Sequence, residues 1–187
     1  MKVFSGKDNA QEIRSRLLST HFSAKVIRHP STKPIGGYKR KWFTLWLLPV
    51  ATPSYELLSK MKVLLTFETG EQFIFVIPKG FVTDFASIPR LLWFMYPPDG
   101  KHRGGAIPHD MGYAVHGFKS LMDEMFKQLL KSEKVEKSVV NIFFGSVNWF
   151  GSFAYKNRSK SSIEKASKLF MDSNNLDTVY LFLGDKK

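Results

Sequence analysis

The sequence MKVLLTFETGEQFIFVI, residues 61–77, decides the fold of the N-terminal half of the chain. Apolar residues occupy every second position of residues 61–67, and the alternation resumes in residues 73–77. Successive side chains of a strand point to opposite faces, so each run predicts a half-buried β-strand. Thr69-Gly70 stands between the two runs and suits a tight turn. These residues therefore predict an antiparallel β-hairpin.

The segments before this hairpin extend the prediction to a larger sheet. Residues 21–28 have the composition of a strand, and residues 41–50, KWFTLWLLPV, are apolar on both alternating faces, as in an interior strand. Residues 10–18 place apolar side chains at helical spacing after Asp8-Asn9, which predicts a short amphipathic helix. We therefore expect an antiparallel sheet over about residues 20–78.

After residue 80 the apolar period changes from 2 to 3.6, which predicts helices. The predicted helices are residues 88–95, 106–116, 120–132, 135–154 and 163–170. Residues 135–154 are apolar around most of the circumference, so we expect them to form the central helix. Residues 178–183, TVYLFL, are predicted to return to the sheet as a last strand. The fold class is α+β: a sheet in the N-terminal half packed against a helical layer in the C-terminal half, with residues 1–187 as a single domain.

Composition limits the chemistry and indicates the charge of the partners. The chain has 28 Lys and Arg against 16 Asp and Glu, a formal net charge of +12, which attracts acidic partners such as an acidic polymer or a nucleic acid. Basic residues cluster at Lys39-Arg40-Lys41 and in residues 156–160. The absence of cysteine excludes disulfides, thiolate nucleophiles and Cys-ligated metal centres.

Neither a membrane span nor a leader is predicted. The longest apolar stretch, residues 139–155, contains Asn141 and Asn148 and is shorter than the ~20 apolar residues that a transmembrane helix needs. We therefore interpret it as a buried helix and do not expect an integral membrane protein. The first 20 residues lack the apolar stretch of a secretory signal, so no signal peptide is expected.

Polar residues stand out at two places that are otherwise apolar. Thr83-Asp84 and Ser87 lie where the strand pattern gives way to the helical one, and His109-Asp110 and Asp123 lie in predicted helices. A carboxylate beside a histidine can orient a general base, and the same groups can bind a hard or borderline divalent metal ion. The candidate catalytic residues are Asp84, His109, Asp110 and Asp123. A divalent metal cofactor is left open.

Structural roles compete with this hypothesis. Asp84 and Ser87 can instead cap the helix that follows, and Asp123 can instead act as a favourable charge in the first turn of its helix. Adjacent helical residues point ~100° apart, so His109 and Asp110 do not both aim at one point. His102 and His116 are predicted as loop and surface residues.

A longer pattern runs through these residues: GFVTDFASIPR at residues 80–90, then Trp93, Pro97-Pro98, Gly100, His109-Asp110 and Asp123. It resembles an uncharacterised family of small phage and prophage proteins, over about residues 60–151. The resemblance implies a bacteriophage or prophage setting and supplies no established reaction. After the His-Asp pair the family usually has large apolar or aromatic residues, whereas this chain has Met111-Gly112-Tyr113. Residues 1–55 and 156–187 are extensions outside the match.

Two functions remain as expectations. The first is a virion-associated or accessory phage protein, a tail or assembly component that binds other phage proteins and resides in the virion or the host cytoplasm. The second is a phage hydrolase, metal-dependent and directed at the cell wall, in which Asp84 and Asp123 orient or bind a metal and His109-Asp110 acts as base or ligand.

Overall fold

The computed structural model describes residue 15 and residues 21–36, 54–83, 102–156 and 159–183, except for the side chains of 148–154 and 156. Its strands are β1 Phe22–Arg28, β2 Thr32–Pro34, β3 Tyr55–Leu57, β4 Met61–Phe67, β5 Gln72–Ile77 and β6 Val82–Thr83. Its helices are α1 Arg103–Ala114, α2 Lys119–Ser132, α3 Lys137–Lys156, α4 Lys160–Met171 and α5 Leu176–Leu183. Strands thus precede helices along the chain, which confirms the α+β class.

The predicted hairpin is the centre of the first sheet. Strands β4 and β5 pair antiparallel from Met61 opposite Ile77 to Thr66 opposite Gln72. Gly70 in the turn has a φ of 88°, a left-handed conformation that glycine adopts without steric strain. Strand β1 pairs antiparallel with the other edge of β4, so the strand order is β1-β4-β5.

One face of this sheet is buried, in the phase that the sequence predicts. The core residues from β1, β4 and β5 are Phe22, Ala24, Val26, Met61, Val63, Leu65, Phe67, Phe73, Phe75 and Ile77. Helix α2 lies against β1, while α1 and α5 contact β5. The helices therefore pack on the apolar face, and the intervening side chains point away from the core.

The remaining described strands form a second, smaller sheet with the order β2-β3-β6. Its strands are only two or three residues long, and Pro34 is the last residue of β2. Two antiparallel sheets thus stand where we predicted one. Strand β6 ends at Thr83 and brings this residue to helix α1.

Among the side chains that the structure describes, helix α1 is more buried than α3, contrary to the prediction that α3 is the central helix. Ten of the twelve residues of α1 are buried, whereas Ile142 on α3 is 40% exposed. The physical reason is size: α1 contains three glycines, which let α2 approach its backbone closely. A β-carbon on Gly105 would lie 3.0 Å from Phe126, and one on Gly112 would lie 1.9 Å from the Met122 sulfur. Apolar periodicity does not register this kind of burial.

The prediction of a last strand at 178–183 was also wrong, because this segment is helix α5. The side chain of Asn175 accepts a hydrogen bond from the backbone N–H of Thr178, which caps the start of the helix. The apolar run then packs one face onto the sheet, with the Phe182 ring centroid 4.5 Å from that of Phe75.

Side chains take the place of that missing strand at the edge of β5. The Asn174 amide accepts a hydrogen bond from Val76 N–H and donates one to Val76 C=O, at 2.8 and 2.9 Å. Thr178 Oγ1 donates to Ile74 C=O. An exposed edge is a template for aggregation, so this arrangement protects β5.

The other predicted elements divide into those confirmed and those outside the described residues. Strand 21–28 and the helices near 106–116, 120–132, 135–154 and 163–170 are confirmed, with ends that differ by a few residues. Of the predicted helix at 10–18 only Ser15 is described, and it is helical, while the predicted helix at 88–95 and the strand at 41–50 lie outside the described residues. Among the helices described, none is both long enough and apolar enough to cross a membrane.

Candidate functional site

Two pairs of polar residues, each spaced four positions apart, meet between helices α1 and α2. His109 and Tyr113 lie on α1, and Lys119 and Asp123 lie on α2. Residues four apart share one face of a helix, so each helix presents two polar side chains to the same region. The small residue Gly112 permits this close approach of the two helices.

Asp123 is the centre of the cluster. His109 Nε2 lies 3.0 Å from Asp123 Oδ1, and the Tyr113 hydroxyl donates to the same oxygen at 2.8 Å. Lys119 Nζ donates to the other carboxylate oxygen, Oδ2, at 2.5 Å. Both oxygens of Asp123 are therefore engaged by side chains of the protein.

The cluster is enclosed. The side chains of His109 and Asp123 are 4% and 7% exposed, whereas that of Lys119 is 24% exposed and reaches the surface. The His109 ring packs against the rings of Tyr113 and Phe126, at centroid distances of 4.1 and 5.2 Å. Solvent therefore reaches the cluster mainly along Lys119.

The electrostatics fix the charge state of two members. Burial raises the pKa of Asp123, but hydrogen bonds from His109 and Lys119, the attraction of His109 and the Tyr113 hydrogen bond outweigh it and lower the pKa below its ordinary value. Burial, together with the charge of Asp123, raises the pKa of Tyr113 far above its ordinary value. At neutral pH Asp123 is therefore a carboxylate, and Tyr113 is a neutral hydrogen-bond donor.

Asp110 belongs to a separate contact. The Thr83 hydroxyl donates a hydrogen bond to Asp110 Oδ2, which ties the end of β6 to α1. His109 points to α2 and Asp110 to β6, so the two side chains diverge as their adjacent helical positions predict. Asp84 and Ser87 lie outside the described residues, so their predicted roles remain predictions.

The described residues do not assemble a metal centre. Within these parts of the chain, no group of three or more His, Asp or Glu side chains is arranged to hold a metal ion. The two oxygens of Asp123 already accept hydrogen bonds from Tyr113 and Lys119. The divalent metal thus stays a prediction that depends on Asp84.

The comparison with protein families covers this same region. Residues 60–147 match the family described as "Protein of unknown function (DUF1353)". This part of the chain is similar to the DUF1353 family. The match agrees with the extent of about 60–151 that the sequence resemblance gives. No curated protein and no solved structure matches the chain.

The DUF1353 match contains the whole polar cluster. It spans β4 to β6, α1, α2 and the first half of α3, and therefore includes Thr83 and Asp110 as well as the residues around Asp123. Strand β1 and helices α4 and α5 lie outside the match, although β1 belongs to the same sheet and the two helices contact it through Phe170 and Phe182 against Phe75. The cluster is accordingly a feature of the DUF1353 segment and not of the extensions.

Two members of the cluster were missed from the sequence. Tyr113 and Lys119 are ordinary residues on their own, and the signal that marks them is their spacing of four from His109 and Asp123. Asp123 itself lies in the second turn of α2, since the helix begins at Lys119. The alternative of a favourable charge in the first turn is therefore wrong.

His102 and His116 lie in turns, in agreement with the prediction of loop residues, but the prediction that they are surface residues was wrong. His102 is 5% exposed and packs edge-on against Phe143, at a centroid distance of 5.3 Å. His116 is half-buried and stacks on Tyr155 at 4.0 Å. Its Nε2 lies 2.9 Å from the Tyr155 carbonyl, and the Tyr155 hydroxyl donates to the backbone carbonyls of His116 and Gly117. Both histidines therefore help to pack the DUF1353 segment.

Proposed function

We propose that this chain is a virion-associated or accessory protein of a bacteriophage or prophage, a tail or assembly component that works by binding other phage proteins. The observation that carries this proposal is the enclosure of the polar cluster. A general base must reach its substrate, and His109 Nε2 is instead directed at Asp123 inside the protein. The cluster therefore serves to hold α1 and α2 together.

The charge of the protein supports a binding role. A net charge of +12 draws acidic partners by long-range attraction. The phage setting comes from the resemblance of residues 80–90 and the His-Asp pair to phage and prophage proteins. A partner in this proposal is an acidic surface of another phage protein, with an acidic polymer or a nucleic acid as the alternative.

Mass spectrometry of purified virions from the phage or induced prophage that encodes the chain tests this proposal. We expect the protein among the virion components, or in assembly intermediates separated by gradient centrifugation. A purified protein that is monomeric and is absent from virions and intermediates alike would overturn the proposal.

A second candidate, a metal-dependent phage hydrolase directed at the cell wall, is favoured by one observation. A carboxylate that accepts a hydrogen bond from a histidine, as Asp123 does with His109, is the arrangement that orients a catalytic base. Asp110 is only half-buried and lies beside Thr83, which Asp84 follows directly in the sequence.

Turbidity clearing of purified cell walls, with and without added divalent metal, distinguishes the two candidates. The hydrolase requires that the wild-type protein clears the suspension, that Asp110→Asn abolishes clearing and that Asp172→Asn, an exposed control, does not. It also requires a stoichiometric metal in elemental analysis that Asp110→Asn releases. The accessory protein predicts no clearing by any of the three.

A further inference from the structure

The outward face of the sheet β1-β4-β5 carries an unusual set of charges. We call it the cationic face, defined by Lys25, Ile27, Arg28, Lys62, Leu64 and Ile74. These side chains alternate with the buried ones and lie opposite the helical layer. The face therefore looks away from the core and from the polar cluster.

The strand register brings like charges together on this face. Arg28 on β1 lies directly opposite Lys62 on β4. Lys25 lies opposite Leu64, the next residue of β4 on the same face. An irregularity between Val26 and Arg28 shifts the register at Ile27 and leaves Ile27 and Arg28 both exposed. Like charges that face each other in an antiparallel pair destabilise the sheet.

The cations of this face have no acidic partner among the described residues. Some other cations of the described chain are paired, as Lys33 is with Glu56 and Lys119 is with Asp123. The acidic residues of the same hairpin, Glu68 and Glu71, lie at its turn, at the opposite end of β4 from Lys62. The repulsion between Arg28 and Lys62 is therefore left uncompensated within this part of the protein.

Aliphatic side chains lie beside these cations. Ile27 is 48% exposed and Ile74 is 43% exposed, and Lys25, Leu64 and Ile74 form one row across the three strands. The face is three strands wide, at ~4.8 Å per strand, and three outward-facing residues long, at ~6.8 Å per residue pair, which gives about 14 by 20 Å. This area accommodates a short segment of another protein, and it is smaller than a standard interface of ~800 Å² per partner.

We propose that the cationic face binds an acidic segment of a partner protein, with carboxylates on Lys25, Arg28 and Lys62 and aliphatic side chains on Ile27 and Ile74. Single-stranded nucleic acids stack on aromatic side chains, and the face offers aliphatic ones instead. A second copy of this chain would bring like charges together. The inference rests on the proposed accessory role and names the partner that this role requires.

Fluorescence anisotropy with a labelled peptide of alternating Glu and Leu tests the surface, with a Lys-Leu peptide and a 20-base-pair DNA duplex as comparisons. Lys62→Glu should weaken binding of the Glu-Leu peptide about tenfold, because it replaces an attraction by a repulsion. Ile74→Thr should weaken it by a smaller factor. Lys168→Glu, the same charge change at an exposed position on α4, is the control and should leave binding within about twofold.

The same substitution gives a second readout. Because Lys62→Glu converts a repulsive pair with Arg28 into an attractive one, it should raise the melting temperature by about 1–3 °C while it weakens binding. A variant that is more stable and binds less well supports a surface kept for binding.

Four results would overturn the proposal: no binding of the Glu-Leu peptide by the wild type, equal losses in Lys62→Glu and Lys168→Glu, a lower melting temperature for Lys62→Glu, or tighter binding of the duplex through these same residues. The last result would assign the face to nucleic acid. None of these results depends on virions, so a protein absent from virions that still binds the peptide would refute the accessory role alone.

Discussion

Replacing Gly112 by alanine should destabilise the protein relative to the same replacement at Gly145. Both glycines lie inside helices, so both substitutions gain the same helix propensity, about 1 kcal/mol. They differ in surroundings. A β-carbon on Gly112 would lie 1.9 Å from Met122 Sδ and 2.5 Å from its Cγ, whereas one on Gly145 would meet nothing within 4 Å.

The magnitude follows from this difference. Met122 is fully buried, so its side chain moves only by displacing other core atoms, and overpacking of this kind destabilises by ~1–3 kcal/mol. Gly145→Ala should therefore raise the free energy of unfolding by about 0.5–1 kcal/mol. The free energy of unfolding of Gly112→Ala should be about 1–3 kcal/mol lower than that of Gly145→Ala.

Urea denaturation followed by circular dichroism measures both variants. A double-mutant cycle identifies the cause: in a Met122→Ala background the clash is absent, so Gly112→Ala should become as favourable as Gly145→Ala. Equal stabilisation by Gly112→Ala and Gly145→Ala in the wild-type background would refute the close helix contact on which the site geometry rests.

Three further predictions concern other contacts. Asp123→Asn breaks a buried charge network and should lower the free energy of unfolding by about 3 kcal/mol at pH 7. Because the pKa of Asp123 is lowered in the folded state, this deficit relative to wild type should shrink as the pH falls below about 4. A deficit that does not change with pH in urea titrations would contradict this prediction. Tyr113→Phe removes a hydrogen bond to the Asp123 carboxylate and should destabilise the protein by ~2 kcal/mol. Tyr155→Phe loses hydrogen bonds to backbone carbonyls and should destabilise it by only ~1 kcal/mol. Equal shifts of the melting temperature in the two variants would be inconsistent with a charged Asp123. Asn174→Ala leaves the backbone N–H and C=O of Val76 unpaired and should speed hydrogen exchange of the Val76 amide at least about tenfold, as measured by NMR. The amide of Lys62, its neighbour across the strand pair, serves as reference. Unchanged protection of the Val76 amide would show that another group covers this edge.

Local patterns were sufficient for most elements of the fold. The alternation in residues 61–77 predicts both strands and the turn at Gly70, because the buried face of a strand must be apolar at every second position. The helix near 120–132 follows from its single apolar stripe for the same reason at period 3.6. The prediction of a strand at residues 178–183 was wrong because a short apolar run is compatible with a buried helix as well as with a strand. The cap at Asn175 distinguishes them.

The candidate site was predicted in part. The sequence marks His109, Asp110 and Asp123, and the divergence of His109 from Asp110 follows from helix geometry alone. Which carboxylate faces His109 depends on how α1 packs against α2, because the partner Asp123 lies fourteen residues after His109 in the sequence. Tyr113 and Lys119 enter the cluster only through that packing.

The sequence by itself determines the α+β class, the hairpin, the long helices, the net positive charge and the identity of the marked polar residues, since all of these depend on composition or on short-range periodicity. Only the tertiary structure places α1 at the centre, encloses Asp123 among three donors and opposes Arg28 to Lys62 across two strands. These features depend on the distance between segments remote in sequence. Side-chain size at glycines such as Gly112 and the register of strand pairing set that distance, and neither appears as a period in the sequence.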